Sequence, residues 1–259
     1  MKTLAHGIAS VLLALAGNSA MAQVDAEPPA ADSGPISMRS GGEVYTRIRD
    51  ALSPTSCTPK ASKSAWMKAY IHRPERFQQQ LVEMLPILDH VSFQAAQRGL
   101  PMEFALIPFV ESRFQPDAVA KGGPKGLWQL MPLTAKHFGL KIGGKKDGRL
   151  DYIQATDAAL SYLEQLQKQF GDWPTSIMAY NAGDSRLRLS LRRQKLARVD
   201  AENRLPKGLA PHTYAYVRKI QALSCFMQNP GSFDVRLPEE TRFMPQASDV
   251  VPEILDNGN

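Results

Sequence analysis

Long apolar runs are missing from this sequence. The segment Ile8–Ala16 is well short of the about 20 residues that a membrane-spanning helix needs, and no later segment is long and apolar enough. No cysteine lies directly after Ile8–Ala16, where a lipoprotein signal would need one. The sequence therefore predicts no transmembrane anchor beyond this first segment.

Several motifs with recognisable chemistry are also missing. No stretch resembles a nucleic-acid-binding motif, so we expect no nucleic-acid partner. Alternating strand patterns and internal repeats are absent, which indicates a mainly α fold. Four scattered histidines lack metal-ligand spacing, and we expect no metal: His72, His90, His137 and His212.

The N-terminus has the pattern of a cleaved signal peptide. Lys2 supplies a short positive region, Ile8–Ala16 follows it, and Ala20-Met21-Ala22 is a small-residue cleavage site. We predict a signal peptide over residues 1–22 and export to the periplasm. The alternative, an uncleaved anchor, conflicts with the short apolar run.

The two cysteines, Cys57 and Cys225, both lie after the predicted cleavage site. In an oxidising compartment two thiols most simply pair with each other, although two unrelated buried thiols remain the alternative. A bridge would tie the start of the folded region to its last helix and, in the chain-entropy model, stabilise the fold by about 4 to 5 kcal/mol.

The charge balance suits an anionic partner. The net charge is +6, and removing Lys2 with the signal peptide leaves +5. A basic exported protein fits the cell wall or a lipid surface. The balance of 43% hydrophobic and 22% charged residues is that of a globular protein with a core.

Composition and helical periodicity divide the mature chain. Pro86 should divide the first periodic run, which begins near Pro74. The clearest helix is predicted over Asp151–Phe170, and Asp172 should cap the next one. The last helix is predicted over Pro211–Met227. The predicted segments are a flexible leader over 23–42, a helical region over 43–98, a catalytic domain over 99–228 and an extended tail over 229–259.

Glu111 is the candidate catalytic residue. It lies towards the C-terminal end of an apolar helix that should open at Leu100-Pro101 and stop before Pro116. Phe109, Val110 and Phe114 surround it in the sequence. Desolvation and the negative end of the helix dipole both disfavour the carboxylate and raise its pKa, which suits a general acid at neutral pH. For Glu111 alone, a solvent-facing residue near a helix end is the simpler interpretation. Its neighbouring motifs change that balance.

Three motifs in order resemble the lytic transglycosylases of family 1, most closely the murein transglycosylase D-like group. They are Glu111-Ser112, the segment from Gly126 to Pro132 with the letters GLWQLMP, and the segment from Ala179 to Gly183 with the letters AYNAG. A late segment from Thr213 to Ile220 adds to the likeness. The resemblance covers about Pro74 to Met227 and implies a mostly helical, lysozyme-like domain crossed by a glycan groove.

The resemblance also implies residue roles. Glu111 would be catalytic, Ser112 would support its loop, and Tyr216 would help hold the site, with Tyr214 as its competitor. Asp117 is the nearest candidate for a second carboxylate, although a solvated loop residue is the simpler interpretation. The residues expected to line the groove or flank the carboxyl are Gly126, Leu127, Gln129, Met131, Tyr180 and Asn181. Leu127, Trp128 and Met131 could instead belong to the core.

The family's chemistry explains why one carboxylate suffices and why no cofactor is needed. Glu111 would protonate the oxygen between N-acetylmuramic acid and N-acetylglucosamine, then take the proton from the C6 hydroxyl as that oxygen attacks C1. The expected product is 1,6-anhydro-muramic acid. Two alternatives stay open: a lysozyme-type hydrolase using Asp117, and a non-catalytic wall-binding scaffold, which would not need Glu111, Gln129, Tyr180 and Asn181.

The sequence departs from the family at two places. Many members have Ser or Thr at the position of Ala120 and Ala at that of Lys125. The lost hydroxyl could weaken substrate positioning, or Lys121 and Lys125 could contact an anionic glycan or peptide. A basic stretch is either a solvated helix face or a wall-binding patch: Arg186, Arg188, Arg192, Arg193, Lys195 and Arg198. We expect a monomer.

Overall fold

A computed structural model describes residues 37–143, 146–200 and 205–249. The predicted signal peptide and most of the predicted leader lie outside these residues. The prediction of a mainly α fold is confirmed. In the described part of the chain the helices are α1 Gly41–Ala51, α2 Pro59–Ser62, α3 Ala65–Ile71, α4 Pro74–Glu83, α5 Leu85–Gln97, α6 Ile107–Glu111, α7 Pro132–His137, α8 Tyr152–Phe170, α9 Trp173–Ala182, α10 Asp184–Arg193 and α11 Pro211–Gln228. The strands are β1 Arg39–Ser40 and β2 Arg242–Phe243. No helix of the described residues has the length and apolar character to cross a membrane.

Local sequence signals set most helix ends. Pro86 lies in the first turn of α5, and the periodic run divides at Met84 as predicted. The Asp151 side chain accepts hydrogen bonds from the backbone N–H groups of Ile153 and Gln154 at the start of α8. Gly171 ends α8 in the left-handed region with a φ of 80°.

The helix that carries Glu111 is shorter than the sequence predicts. A single helix was expected between Pro101 and Pro116, but the structure has a 3-10 helix, Met102–Leu106, followed by α6. The helix stops at Glu111 because Arg113 and Phe114 both have positive φ, 55° and 60°. The chain therefore turns directly after the candidate catalytic residue.

Helix α11 is the element that joins the distant parts of the chain. It packs against α9, α2, α3, α6 and the 3-10 helix before α6. Its side chains Val217, Ile220, Leu223 and Phe226 are completely buried. Cys225 in the same helix is bonded to Cys57, which confirms the predicted disulfide. The first helices are thereby fastened to the helix that also carries Tyr216.

The two ends of the described chain pack on the domain. The sequence analysis predicted a flexible leader as far as residue 42 and an extended tail from residue 229. Within the described residues, β1 at the end of the predicted leader pairs antiparallel with β2 in the predicted tail, and Arg39 forms a salt bridge with buried Asp89 at 2.7 Å. Val235 and Phe243 are buried in the core cluster. Apolar residues are too few in these segments for hydrophobic periodicity to predict that they pack.

Candidate active site

Glu111 lies at the last position of α6, where the backbone leaves the helix. Its residue surface is partly exposed, while Phe109 and Phe114 on either side of it are buried. The carboxyl thus has apolar surroundings and an opening to solvent. A group that must first hold a proton and then deliver it to a bound molecule requires this combination.

Tyr216 provides a direct partner for this carboxyl. Its hydroxyl donates a hydrogen bond of 2.5 Å to Oε1 of Glu111. The tyrosine is 4% exposed and is held in α11, so its position is set by the core. Tyr214, its competitor in the sequence, turns elsewhere, and its hydroxyl accepts a bond of 2.9 Å from the backbone N–H of Leu209.

The pKa of Glu111 is raised from 4.5 to about 7, chiefly because burial disfavours the charged form. The hydrogen bond from Tyr216 and the positive charge of Lys219 act in the opposite direction and lower it. Burial, and after it the charge of Glu111, raise the pKa values of Tyr180 and Tyr216 well above the ordinary range. Both phenols therefore keep their protons at neutral pH, while Glu111 is poised to exchange its own.

Two hydrogen bonds connect the candidate catalytic helix and α9 to the Gly126–Met131 loop. The hydroxyl of Ser112 donates to the carbonyl of Leu127 at 2.8 Å. The hydroxyl of Tyr180 donates to the carbonyl of Trp128 at 2.7 Å. The three sequence motifs thus meet in the structure. Side chains of the first and third motifs, Ser112 and Tyr180, bond to the backbone of the second.

Close packing and backbone strain shape this loop. Gly126 has a φ of 78°, and a Cβ there would lie 1.7 Å from the carbonyl oxygen of Arg149, so no side chain fits. Gln129 also has positive φ, 46°. Its Nε2 donates to the carbonyls of Ala118 and Gly126 at 3.1 and 2.8 Å. Strain of this kind often accompanies functional loops.

An ion cluster formed by Arg149, Asp147 and Lys125 supports the loop. Arg149 donates to the carbonyls of Gly123 and Leu130 at 2.6 and 3.1 Å. The hydrogen bond from the Arg149 side chain is the main cause of the strongly lowered pKa of Asp147. Lys125 lies 3.3 Å from the same carboxylate. Lys125 therefore has an internal partner, which speaks against the glycan contact considered for it in the sequence.

Some predicted groove residues lie elsewhere than expected. Leu127 and Trp128 are completely buried, and the indole N–H of Trp128 donates to Thr156 at 3.0 Å. Both side chains belong to the core, and the backbone carbonyls of these two residues accept the hydrogen bonds from Ser112 and Tyr180. Met131 is 48% exposed and free to meet a ligand. The Oδ1 of Asn181 accepts a 2.8 Å bond from Thr213, which ties α9 to α11.

The sequence analysis missed two residues that act electrostatically on Glu111 or on Tyr216. Lys219 follows Tyr216 by three positions, so the two share one face of α11, a spacing that could have identified it. Tyr70 comes from α3, outside the three motifs, and its phenol interacts electrostatically with Tyr216. Asp117 is exposed on the loop that follows α6.

Known proteins with similar sequences include murein transglycosylases. Residues 92–201 match the transglycosylase SLT domain family. The chain is 31% identical to the membrane-bound lytic murein transglycosylase D of Escherichia coli K12, over 87% of this chain and 50% of that protein. It is 29% identical to the soluble lytic murein transglycosylase of the same strain, over 56% of this chain and 24% of the relative.

The SLT match and the wider likeness have different extents. The match includes Glu111, the loop and Tyr180, and ends before the Tyr216 segment. The chain spans half the length of the first relative and a quarter of the second. Among solved structures, the 70-kDa soluble lytic transglycosylase of Escherichia coli shares 20% identity with a TM-score of 0.42, over 70% of this chain and 33% of that one.

Proposed function

We propose that the chain is a peptidoglycan lytic transglycosylase with Glu111 as its single acid and base. One observation carries the proposal: the pKa of Glu111 is raised to about 7 at the point where the three motif segments meet. A carboxylic acid that titrates near neutral pH can both donate and accept a proton in one cycle. The likeness to murein transglycosylases supplies the substrate class.

In the first step, protonated Glu111 donates its proton to the oxygen that joins N-acetylmuramic acid to N-acetylglucosamine. The bond from that oxygen to C1 breaks, and the positive charge at C1 is stabilised by the sugar's own N-acetyl group. Most glycosidases use a second carboxylate for this purpose. Here the substrate performs it, which accounts for a site built around Glu111 alone.

In the second step, the Glu111 carboxylate takes the proton of the C6 hydroxyl while that oxygen bonds to C1. The product is 1,6-anhydro-muramic acid. Because the attacking hydroxyl belongs to the same sugar, little entropy is lost in bringing it to C1. The charge of Lys219 and the donor of Tyr216 favour the carboxylate in this half of the cycle.

We further propose that the enzyme acts in the periplasm as a monomer, after removal of residues 1–22. The signal-like N-terminus and the Cys57–Cys225 disulfide support export to an oxidising compartment. The net charge, +5 without Lys2, suits an anionic wall.

Mass spectrometry of the fragments released from purified peptidoglycan tests the proposal. The protein should release anhydro-muropeptides, each one water lighter than the reducing form. The Glu111→Gln variant keeps the shape of the side chain and removes the titrating group, so it should release none. Reducing muropeptides would instead establish a hydrolase and make Asp117 the candidate base for water. If wild type and variant released equally little, a wall-binding scaffold would be the better account.

A further inference from the structure

Lys219 is a cation at the edge of the candidate active site. It follows Tyr216 by one turn of α11, and the Tyr216 hydroxyl lies 2.5 Å from Oε1 of Glu111. Val110 and Arg113 stand on either side of Glu111 in the chain. Both line, with Lys219, a pocket of about 500 Å³ between α3, α4, the end of α6 and α11. Lys219 and the segment that carries Glu111 therefore border one concavity.

An aromatic ring is the neighbour that holds the Lys219 ammonium. The side chain of Lys219 forms no hydrogen bond or salt bridge with the residues that the structure describes. Its nitrogen lies 4.7 Å from the centroid of the Trp66 ring, within the distance of about 6 Å at which an aromatic face attracts a cation. A lysine head is carried on a flexible four-carbon stem. Without the ring the ammonium would be free to turn into solvent.

Trp66 is itself fixed by the fold. The Ser64 hydroxyl caps α3 by accepting a hydrogen bond of 3.2 Å from the backbone N–H of Met67, and Met67 is completely buried. The indole is partly buried and packs against the core cluster. Helix α3 packs on α11, and the Cys57–Cys225 bond fastens the segment before α3 to the same helix. A rigid ring thus meets a flexible ammonium.

The other titratable groups around Glu111 and its partner Tyr216 carry no charge at neutral pH or have other partners. Burial is the main cause of the raised pKa values of the phenols Tyr216 in α11, Tyr180 in α9 and Tyr70 in α3. The 3-10 helix before α6 carries Glu103, whose carboxylate accepts a hydrogen bond from the segment between α1 and α2. The charge of Arg113 acts on the Tyr70 phenol. The charge of Lys219 acts on Glu111 and favours its carboxylate.

The proton transfer creates a charge that these surroundings disfavour. When Glu111 gives its proton to the bridging oxygen, a carboxylate forms between the buried residues Phe109 and Phe114. A cation that is held in place before the reaction stabilises this charge without any reorganisation, whereas a freely moving cation would first have to be ordered. How firmly the Lys219 ammonium is held therefore affects the rate.

We propose that Trp66 is a positioning residue of the reaction, which acts by holding the Lys219 ammonium beside the carboxylate that Glu111 becomes. The proposal rests on the proposed function, which supplies the proton transfer. Neither Trp66 nor Lys219 belongs to the three motifs, and both lie outside residues 92–201, which match the SLT family. Helix α3 thus contributes the placement of a charge to a site whose acid lies in the matched segment.

Titration of Glu111 in the absence of substrate tests the effect of the Lys219 charge. In protein with isotope-labelled glutamate carboxyls, the NMR signal of Glu111 is the one that Glu111→Gln removes. Lys219→Met keeps an unbranched side chain and removes the charge, so the pKa of Glu111 should rise by about half a unit or more. Lys219→Arg keeps a cation that stacks on aromatic rings and should restore the wild-type pKa to within about 0.2 units.

A double-variant cycle tests the role of Trp66. Trp66→Leu removes the aromatic face and should raise the pKa of Glu111, by less than Lys219→Met does. In the Lys219→Met background the same substitution should change this pKa by less than about 0.2 units, because the charge that the ring positions is gone. Equal shifts in both backgrounds, or no shift in either, would overturn the proposal, since Trp66 would then act by packing or not at all.

Trp66→Phe protects this test against a leucine variant that fails to fold. It retains a smaller aromatic face that attracts a cation less strongly than the indole does. The pKa of Glu111 should therefore take a value between those of the wild type and of Trp66→Leu, and the shift should again vanish in the Lys219→Met background. A shift that persists there would contradict the positioning role in the same way.

Rates on purified peptidoglycan test the consequence for the reaction. On the low-pH plateau, where Glu111 is protonated, the kcat of Lys219→Met should fall by about two- to threefold, because the carboxylate that forms has lost about half a pKa unit of stabilisation. KM should stay the same within about 1.5-fold. A loss confined to KM would show that Lys219 binds the substrate instead. The matched control Lys68→Met, which removes an exposed lysine from α3, should alter neither constant. An inactive wild-type protein would contradict the proposed function, while the titration would still decide whether Trp66 places the charge.

Discussion

The hydroxyl of Tyr216 lies 2.5 Å from Oε1 of Glu111, although 105 residues separate them in the chain. The tyrosine belongs to the last long helix and the glutamate to a helix of five residues. Their contact means that the protonation of Glu111 depends on how α11 packs. A substitution in α11 can therefore change the pKa of Glu111 while Glu111 itself is kept.

Replacing Tyr216 by Phe should move the pH profile. The hydrogen bond from Tyr216 lowers the pKa of Glu111, so without it the pKa should rise above about 7. A bond to a charged group contributes about 1.5 to 3 kcal/mol, which corresponds to a rise of about one to two units. In a series of rates against pH, the limb on which Glu111 loses its proton should shift upward by that amount.

The control for this experiment is Tyr214→Phe. That phenol accepts a bond from the Leu209 backbone and forms no hydrogen bond with Glu111 in the described structure, so its removal should leave both limbs in place. An unchanged profile in Tyr216→Phe would mean that the short contact does not influence the acid in solution.

The raised pKa of Glu111 also predicts how stability depends on pH. Because the pKa of Glu111 is about 7 in the folded protein and near the ordinary value of 4.5 in the unfolded chain, the folded state binds the proton more tightly. Its contribution is fully present below pH 4.5 and is lost as the pH rises through 7. The difference in free energy of unfolding between the Glu111→Gln variant and the wild type should therefore shift in favour of the variant by up to about 3 kcal/mol from pH 4 to pH 8. Urea unfolding of both proteins at the two pH values measures the gap, and a constant gap would contradict the shift.

The disulfide should account for a large part of the stability. It closes a loop of 168 residues between Cys57 and Cys225. In the chain-entropy model its loss from Cys57→Ser/Cys225→Ser lowers the free energy of unfolding by about 5 kcal/mol. Urea denaturation measures this. A reducing agent should destabilise the wild type to a similar extent and leave the double variant unaffected. If reduction affected both proteins alike, the bridge would not be the cause.

Two glycines in the same loop region provide a matched pair. Gly126→Ala should distort the loop, because its Cβ would overlap the Arg149 carbonyl at 1.7 Å. Gly122→Ala shares the positive φ, 88°, yet its Cβ would meet nothing within 4 Å. The free energy of unfolding of the Gly122 variant should fall by only about 1 to 2 kcal/mol, because alanine is strained at a positive φ. The Gly126 variant should lose more stability and most of its activity. Equal losses in unfolding and rate assays would remove the argument for close packing.

Local signals in the sequence determined much of this protein. Prolines and aspartates at helix starts predicted α5, α8 and α9, because first-turn proline and side-chain caps act within a few residues. Short motifs identified Glu111, Tyr180 and the Gly126–Met131 loop, and two cysteines in a predicted exported chain indicated their own pairing. Each of these features depends on neighbours in the chain or on the chemistry of the residue itself.

Only the tertiary structure decided which side chains face the carboxyl and which face the core. Leu127 and Trp128 stand in the most recognisable motif and are nevertheless buried, since a loop can present its carbonyls to the site and its side chains to the interior. Tyr70 and Lys219 border the site without belonging to those motifs, because α3 and α11 are brought there by packing and by the Cys57–Cys225 bridge. Contacts between elements far apart in the chain leave no periodic trace in either one. For that reason the sequence alone identifies Glu111 as the candidate acid, and the fold determines the surroundings of its carboxyl.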